Sequence, residues 1–454
     1  MPRNLLVLTY EFPPSGGGGV QRVAKFCHFL PQHGWVPHVV TAEPVTGRSL
    51  DPSLVAEVAE VAVVRTPARH VATGIARLIA PVKALLHNLR GGGRSAAATS
   101  GGVSEPQATG GQGTSLTSAA FSSRAARWVA VPDDAVIWKR GAVRAAVEVG
   151  RRERVAAVLA SGPPFSAIVA GARVSRRLGV PLIADMRDGW ATNPVVTLPT
   201  RAHDAYSHRL ERRTLRQAAV VTCTTPAIAE EAHTFGARNA IVIPNGFDPA
   251  DLPARTPDPS GPLRVAYMGK VYFGHSDPTA FLESLARITF GGGPPAAIEF
   301  DLVGSWPTQI EETIVRLGLE ERVHLHAYLP HREALALVAR ADAGLVLIAD
   351  RPGAAGSAPA KMYEYLGMGL PTLLVGPAGG FPAHVIEHTG GGMRVSPDDQ
   401  TALDGALRRM STDKAEGRPL ADFDATAVRE YDRTAQAARL AEVLTDTVSP
   451  VNVV

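Results

Sequence analysis

A regular alternation of short apolar runs with stretches of helical periodicity constrains the fold of this 454-residue chain more than any other feature. A run such as 5–9 (LLVLT) is long enough for one buried strand and too short for a helix. Strands that alternate with helices pair in parallel and are covered on both faces, so their sequences are apolar throughout. The chain is therefore predicted to be an α/β protein with doubly wound parallel sheets.

Two series of apolar runs predict two domains. The first series predicts strands at 5–9, 36–41, 61–65, 156–160, 181–185, 220–224 and 240–244. The second predicts strands at 263–268, 298–303, 323–327, 343–348, 372–375 and 393–395. Helical periodicity is found at 20–30, 142–154, 167–178, 203–217, 278–288, 308–317, 332–339 and 360–366. We expect a first domain over 1–248, a Pro-rich linker over 249–262, a second domain over 263–428 and a terminal helix over 429–448.

Two segments depart from this alternation. Residues 88–123 are rich in Gly, Ser, Ala and Thr, which predicts a mobile surface loop because such a segment has little apolar surface to bury. Residues 74–90 (GIARLIAPVKALLHNLR) are apolar and basic, which fits either a peripheral contact with an anionic membrane or a helix that caps a cleft.

The overall composition excludes several classes of protein. The 46 Lys and Arg residues nearly balance the 43 Asp and Glu residues, so the net charge of +3 argues against a dedicated nucleic-acid-binding protein. Cys27 and Cys223 can form neither a disulfide framework nor an all-cysteine zinc site. The sequence shows no signal peptide and no apolar stretch long enough to span a membrane. We expect a cytoplasmic enzyme, peripheral to the membrane if 74–90 binds lipid.

A glycine cluster follows the first predicted strand. Gly16, Gly17 and Gly18 precede a predicted helix, where bare backbone amides and the helix dipole favour an anion. One interpretation is therefore a loop that binds phosphate or sugar. The alternative is a G-x-G-x-x-G dinucleotide turn with Glu43 as its acidic partner, although Gln21 stands where the third glycine belongs.

Charged residues follow another strand of the first domain. Asp185 ends the strand predicted at 181–185, and Arg187 and Asp188 come directly after it. This is the edge at which doubly wound sheets bind ligands, so the three side chains are candidates for a site. A structural pair between arginine and aspartate that holds the next loop is the alternative.

The second domain offers two candidate ligand-binding segments. Lys270 follows Gly269 after the domain's first strand, where a cation can neutralise a diphosphate and His275 can assist. Further on, a loop of small residues leads into a helix that carries Lys361 and Glu364 one turn apart. A helix N-terminus suits a phosphate, and the glutamate can accept hydrogen bonds from sugar or ribose hydroxyls. An exposed ion pair between the two side chains is the alternative.

Four segments act together as a signature. They are YEFPPSGGGGVQRVAKF, SGPPFSAIVAGARVSRRLGVPLIADMRDGW, VIPNGFDPADL with Asn245, Gly246 and Asp248, and PAKMYEYLGMGLPTLLVG. With them, nearly the whole chain apart from 88–123 resembles the bacterial family 4 glycosyltransferases of the GT-B fold. The resemblance implies two Rossmann-like domains that face each other across a cleft, the first binding acceptor and the second binding donor. It also implies that the terminal helix crosses back to the first domain.

The resemblance further implies an activity and its residues. The implied reaction moves a hexosyl or hexosaminyl group from a nucleoside-diphosphate sugar, with UDP favoured, to a hydroxyl of a surface-glycan precursor or a natural product. The anomeric configuration is retained, and neither a metal nor another cofactor is required. The implied catalytic residues are Asp188, Lys270 and Glu364, and the implied acceptor-binding residues are Asp185, Arg187 and Asp188. The implied donor-binding residues are Gly16, Gly17, Gly18, Gly269, His275, Gly304, Tyr328, Ser357, Ala358, Lys361 and Glu364, with Glu364 on the donor ribose.

Two positions depart from the family pattern. Gly356 occupies the place of a second glutamate that contacts the donor sugar, and His275 occupies the place of a second basic phosphate ligand. Three alternative functions stay open. They are a nucleotide-sugar epimerase of the same fold, a NAD- or FAD-dependent oxidoreductase that uses the Gly16–Gly19 loop, and a nucleotide-sugar-binding protein without activity.

Overall fold

The structure is a computed structural model, and it describes residues 2–44, 50–51, 53–68, 128–193, 198–291, 297–351 and 356–449. The predicted membrane or cleft-capping helix at 74–90 and the predicted mobile loop at 88–123 lie outside the described residues. Within the described ranges, no helix has both the length and the apolar character needed to cross a bilayer.

The first domain is built on a parallel sheet. Its described strands are β1 (Arg3–Thr9), β2 (Trp35–Ala42), β3 (Ala62–Thr66), β4 (Ala157–Gly162), β5 (Leu182–Met186), β6 (Val220–Cys223) and β7 (Ala240–Val242). They are ordered β3-β2-β1-β4-β5-β6-β7, and each neighbouring pair is parallel. The strand order reverses between β1 and β4. Ligands bind at such a switch point, beyond the carboxyl ends of the strands.

Helices cover both faces of this sheet. They are α1 (Gly18–Phe29), α2 (Ser53–Glu57), α3 (Trp138–Arg152), α4 (Ser166–Leu178), α5 (Arg201–Leu215) and α6 (Pro226–Thr234). One face packs against apolar residues of α3, α4, α5 and α6, and the other packs against α1. Because both faces are covered, residues such as Leu6, Val7 and Leu8 are all fully buried.

The second domain repeats this arrangement. Its described strands are β8 (Leu263–Lys270), β9 (Ile298–Ser305), β10 (Val323–Ala327), β11 (Ala343–Leu347), β12 (Thr372–Val375) and β13 (Gly392–Val395). They form a parallel sheet in the order β10-β9-β8-β11-β12-β13, with its switch point between β8 and β11. Its helices are α7 (Thr279–Phe290), α8 (Thr308–Arg316), α9 (His331–Val338), α10 (Ala360–Gly367), α11 (Phe381–Thr389) and α12 (Gln400–Ala415).

The chain ends in two helices, α13 (Ala425–Arg429) and α14 (Arg433–Val448). Leu440 and Leu444 of α14 pack in the core that lies between α1 and the first sheet. The sequence predicted one helix from 429, and the structure differs. The Asp432 side chain accepts a hydrogen bond from the backbone N–H of Thr434 and begins a new helix, which separates α14 from α13.

The predicted fold class is confirmed. The chain forms two doubly wound, Rossmann-like domains, and every predicted strand is present within two residues of its predicted bounds. The sequence missed five of the described helices, namely α2, α6, α11, α12 and α13.

Candidate functional site

A cavity of about 310 Å³ lies at the carboxyl ends of strands from both sheets. The first domain contributes Asp188, which follows β5. The predicted second-domain residues that line the cavity are Gly269, Lys270, His275, Ser357, Ala358 and Lys361. The sequence missed the lining residues Tyr267, Tyr272 and Ser276, because their side chains carry no charge and lie in or just after an apolar strand.

One glycine lines the cavity with its backbone, and a second glycine supports it from behind. Gly269 and Gly304 are paired across β8 and β9, with φ angles of 127° and 136° that favour glycine. A Cβ on Gly304 would overlap the carbonyl oxygen of Gly269, and a Cβ on Gly269 would lie 3.1 Å from Nζ of Lys361. Gly304 therefore supports Gly269 from behind without lining the cavity, and Gly269 leaves room for a ligand beside Lys361.

Aromatic rings hold the two lysines of the cavity. Nζ of Lys361 lies 3.5 Å from the ring centroid of Tyr267, and Nζ of Lys270 lies 4.8 Å from that of Tyr272. A ring face attracts an ammonium group without cancelling its charge. Among the described residues neither lysine is paired with a carboxylate, so both ammonium groups are placed to meet an anionic ligand in the cavity.

His275 is held as a neutral side chain. Its Nδ1 accepts a hydrogen bond from Nη2 of Arg351 at 2.8 Å. Burial lowers the pKa of His275, and the charges of Arg351 and Lys361 lower it further. The structure thus adds Arg351 as a cation that the sequence did not single out. His275 can offer a phosphate a neutral hydrogen bond rather than a second charge.

Arg187 joins the glycine loop to the loop after β5. Its guanidinium occupies the space in which a Cβ on Gly19 would lie, and it donates a hydrogen bond to the carbonyl oxygen of Pro163. Burial lowers the pKa of Arg187, although Asp188 acts in the opposite direction. The alternative of a structural arginine therefore fits Arg187 better than direct contact with an acceptor.

Asp188 lines the cavity, and its side chain is exposed there. Desolvation by the surrounding protein raises the pKa of the Asp188 carboxyl, although the charge of Arg187 lowers it in part. A carboxylate of raised pKa is a stronger base toward a hydroxyl group. Asp188 is therefore the acidic side chain of the first domain that the described cavity makes available for chemistry.

Asp185 differs from its predicted role in acceptor binding. Its side chain is fully buried, and Nη2 of Arg22 on α1 donates to it at 2.9 Å. The hydroxyls of Ser161 and Thr222 also donate to it, at 2.7 and 2.8 Å. Burial raises the pKa of Asp185, but these partners outweigh burial and lower it overall. Asp185 therefore ties α1 to the sheet and has no oxygen facing the cavity.

Glu364 lines a second, narrower space beside residues 245–252, which connect the two domains and are called the hinge below. It is 6% exposed, and its Oε1 accepts a hydrogen bond from Nε2 of His331 at 2.8 Å. Burial lowers the pKa of His331, but Glu364 outweighs burial, so the pKa of the imidazole is raised. Because Lys361 contacts Tyr267 instead, the two charges on α10 do not form the surface ion pair that was the alternative.

A buried cluster of charges fixes the hinge between the domains. Nζ of Lys25 on α1 lies 2.8 Å from Glu57, 2.7 Å from Asp248 and 2.6 Å from Asp251. Burial lowers the pKa of Lys25, but the three carboxylates outweigh it and raise the pKa overall. Nδ2 of Asn245 also donates to the backbone oxygen of Ala358, in the second domain, at 3.1 Å.

The remaining predicted residues lie outside both spaces. Gly16, Gly17 and Gly18 are at the start of α1, where Gly17 has φ 112° and a Cβ on it would meet no atom within 4 Å. Tyr328 is 55% exposed on the loop after β10. Among the described residues, no three His, Cys, Asp or Glu side chains converge on a position that could hold a metal ion.

Comparisons with known proteins agree with this fold. Residues 111–251 match the model of Glycosyltransferase Family 4. No curated protein matches the chain. Anabaena HepE in complex with UDP is 16% identical, with a TM-score of 0.60 over 98% of this chain and 100% of that chain. Sucrose-phosphate synthase from Thermosynechococcus elongatus is 15% identical, with a TM-score of 0.63 over 98% of both chains.

A third similar structure, like that of HepE, contains UDP. A mutant of S. aureus TarM, in complex with fondaparinux, α-GlcNAc-glycerol and UDP, is 9% identical, with a TM-score of 0.61 over 97% of this chain and 99% of that chain. At these identities the structures establish the fold, which is the GT-B arrangement of two Rossmann-like domains. Together with the family match they support a glycosyltransferase-type enzyme.

Proposed function

We propose that this protein is a retaining glycosyltransferase that moves a sugar from a nucleoside-diphosphate sugar to a hydroxyl acceptor. The observation that carries the proposal is the cavity in which Lys270 and Lys361 of the second domain meet Asp188 of the first. The match of 111–251 to a glycosyltransferase family and the UDP present in two similar structures support this class of reaction.

The donor diphosphate would bind to the second domain. Lys270 and Lys361 supply charge, and Ser357 and Ala358 line the cavity just before the N-terminus of α10, where the helix dipole favours an anion. These groups stabilise the charge that develops on the departing nucleoside diphosphate, so the transfer needs no metal ion. We propose a UDP-sugar with a hexosyl or hexosaminyl group, whose ribose hydroxyls contact Glu364.

The acceptor would enter from the first domain. Asp188 would accept a hydrogen bond from the attacking hydroxyl, and its raised pKa favours partial removal of that proton. The hydroxyl would attack from the face that the diphosphate leaves, which retains the anomeric configuration. Closure of the domains about the hinge would exclude water and limit hydrolysis of the donor. We propose a surface-glycan precursor or a natural product as acceptor, in the cytoplasm or at the membrane surface.

A binding panel tests the donor site. UDP, GDP, dTDP and NAD are added to the full-length protein, and the shift in thermal unfolding is measured. A ligand present at a hundred times its dissociation constant stabilises by about 2.7 kcal/mol. We expect one nucleoside diphosphate to stabilise the wild type and to lose at least about tenfold in affinity when Lys270 and Lys361 are both replaced by Met. Arg316→Met, on the exposed face of α8, is the matched control.

Product analysis separates the rival functions. Incubation with the sugar nucleotide alone yields an isomerised donor if the protein is an epimerase, and Glu364→Ala then loses that activity. Stabilisation by NAD alone indicates a dinucleotide turn at Gly16–Gly19 and contradicts the proposal. Binding of a nucleoside diphosphate with no turnover for any acceptor or water indicates a binding protein, in line with Gly356 at the position of the second glutamate.

A further inference from the structure

A buried carboxylate holds the loop that carries Asp188. Glu231 on α6 is 7% exposed, and its Oε1 accepts hydrogen bonds from the backbone N–H groups of Trp190 at 2.7 Å and Ala191 at 2.9 Å. Its Oε2 accepts a further hydrogen bond from the hydroxyl of Thr192. These three donors come shortly after Asp188 in the chain, so the side chain of Glu231 fixes the backbone that positions Asp188.

The contact between Glu231 and the loop after Asp188 is tightly packed. A Cβ on Gly189 would lie 2.7 Å from Oε2 of Glu231, so the carboxylate lies directly against the backbone next to Asp188. The indole of Trp190 donates to the hydroxyl of Ser207 on α5 at 3.1 Å and stacks on Phe165 with ring centroids 4.7 Å apart. The loop is therefore held by α5 and α6 together.

A second carboxyl group lies on the side of α5 that holds this loop, because Glu211 is one helical turn after Ser207, which bonds to Trp190, and the charge of Glu231 acts on Glu211. Glu211 on α5 is fully buried, and neither of its oxygens receives a hydrogen bond from a donor among the described residues. The other groups that act on it are Arg212, on its own helix, and the backbone of Ala191. Two buried carboxylates cannot both carry a charge at low cost. A proton on Glu211 removes that cost, because the protonated oxygen can donate a hydrogen bond to Glu231.

We propose that Glu211 and Glu231 form a proton-sharing carboxyl pair that positions Asp188 in the cavity. Glu211 holds the proton and donates a hydrogen bond toward Glu231, whose oxygens accept the hydrogen bonds of the loop. Neither residue lines the cavity, so both are positioning residues rather than catalytic ones. Burial, and then the charge of Glu231, raise the pKa of Glu211 to about 9, which keeps the pair intact at neutral pH. The proposal rests on the proposed function only for the reactive role of Asp188.

Hydrogen exchange and turnover, measured on the full-length protein between pH 6 and pH 10, test this proposal. In the wild type we expect the protection factors of the Trp190 and Ala191 amides and kcat to fall together above about pH 9, while the Kd for UDP changes less than about twofold. Glu211→Gln replaces the proton with a permanent amide donor, so both decreases should disappear. Glu231→Gln should lower protection and kcat at every pH, by about tenfold to a hundredfold.

Controls separate this proposal from the proposed function. Glu148→Gln, on an exposed position of α3, should behave as the wild type, and Thr192→Val removes one hydrogen bond to Glu231 if Glu231→Gln does not fold. Equal protection factors in the wild type, Glu211→Gln and Glu231→Gln would overturn the carboxyl pair. Loss of protection without loss of kcat would overturn the positioning of Asp188. If the wild type neither binds UDP nor turns over, the proposed function fails, and the protection factors still decide whether the pair exists.

Discussion

The two sides of the cavity use charged residues in different ways. In the first domain, Asp185 forms an ion pair with Arg22. Glu231 accepts hydrogen bonds from backbone amides, so both carboxylates are already bonded within the protein. In the second domain, Lys270 and Lys361 contact tyrosine rings and are paired with no carboxylate among the described residues. All of these residues lie on or near the walls of one cleft, but only the second group is available to a charged ligand.

This difference shows that position at the end of a strand does not by itself make a residue functional. Parallel sheets bring every strand end to the same edge, where a charged side chain meets either a ligand or another part of the chain. The first domain buries its charges among partners and thereby fixes the shape of its loops. The second domain offers its charges beside the backbone of Gly269. An anion therefore belongs on the second side, and the first side positions what reacts with it.

Asp185→Ala should give the largest effect, because it leaves the buried guanidinium of Arg22 without its carboxylate. Breaking a buried ion pair by removing one partner costs about 3–5 kcal/mol. Urea unfolding measures the loss of free energy of unfolding in this variant. The variant Lys361→Met, on the other side of the cavity, is measured in the same way for comparison. Lys361→Met should cost about 1 kcal/mol or less, since it removes only a contact with a ring.

Asp185→Asn sharpens this test, because it keeps the shape and most hydrogen bonds and should cost less than Asp185→Ala. Similar losses for Asp185→Ala and Lys361→Met would show that the first domain does not depend on its buried pair, and the comparison of the two sides would fail.

The glycines of the two domains should differ by a smaller amount. A Cβ at Gly304 would overlap the carbonyl of Gly269, whereas a Cβ at Gly17 would meet open space, and both residues have positive φ angles. Both alanine variants therefore carry backbone strain, and only Gly304→Ala adds overpacking of about 1–3 kcal/mol. The difference in free energy of unfolding between the two variants measures this cost. Equal destabilisation would mean that the first-domain loop is packed as tightly as the paired glycines of β8 and β9.

The sequence predicted the sheets well for a physical reason. Strands covered on both faces must be apolar along their whole length, and this signal is local. The missed helices have weaker local signals. Helix α12, for example, has many polar residues and begins at an Asp399 cap that resembles any polar turn. The break between α13 and α14 combines the local Asp432 cap with backbone hydrogen bonds of Phe247 to Tyr431 and Arg433, and these distant contacts leave no local sequence pattern.

The site was predictable where a motif is local and unpredictable where pairs form across the fold. Lys270, Lys361 and Gly269 line the cavity because each lies at the end of a strand or at the start of a helix. The partner of Asp185 is Arg22, on a different element, and only packing brings them together. The same holds for Glu231, which binds a loop 40 residues earlier in the chain. Sequence patterns therefore locate a site and leave its supporting side chains undefined.

The pair of His331 with Glu364 gives the smallest expected effect. It tests whether the second domain also contains a charged side chain that is paired within the protein. Glu364, Asp251 and Asp51 outweigh burial and raise the pKa of His331. The stabilisation from the protonated imidazole is therefore fully present below the ordinary histidine pKa and is lost as pH rises through the raised value. At 20% exposure of the His331 side chain, we expect about 1 kcal/mol or less.

Urea unfolding of the wild type and His331→Gln at pH 6 and pH 9 measures this effect. The difference between the two proteins should be larger at pH 6, because a larger fraction of the imidazole is charged there than at pH 9. His384→Gln on α11, which stacks on other aromatic rings, is the control and should show no such dependence. A difference that grows with pH would mean that a neutral His331 donates to Glu364. The second domain would then leave the carboxylate of Glu364, like its lysines, with its charge uncompensated and available to a ligand.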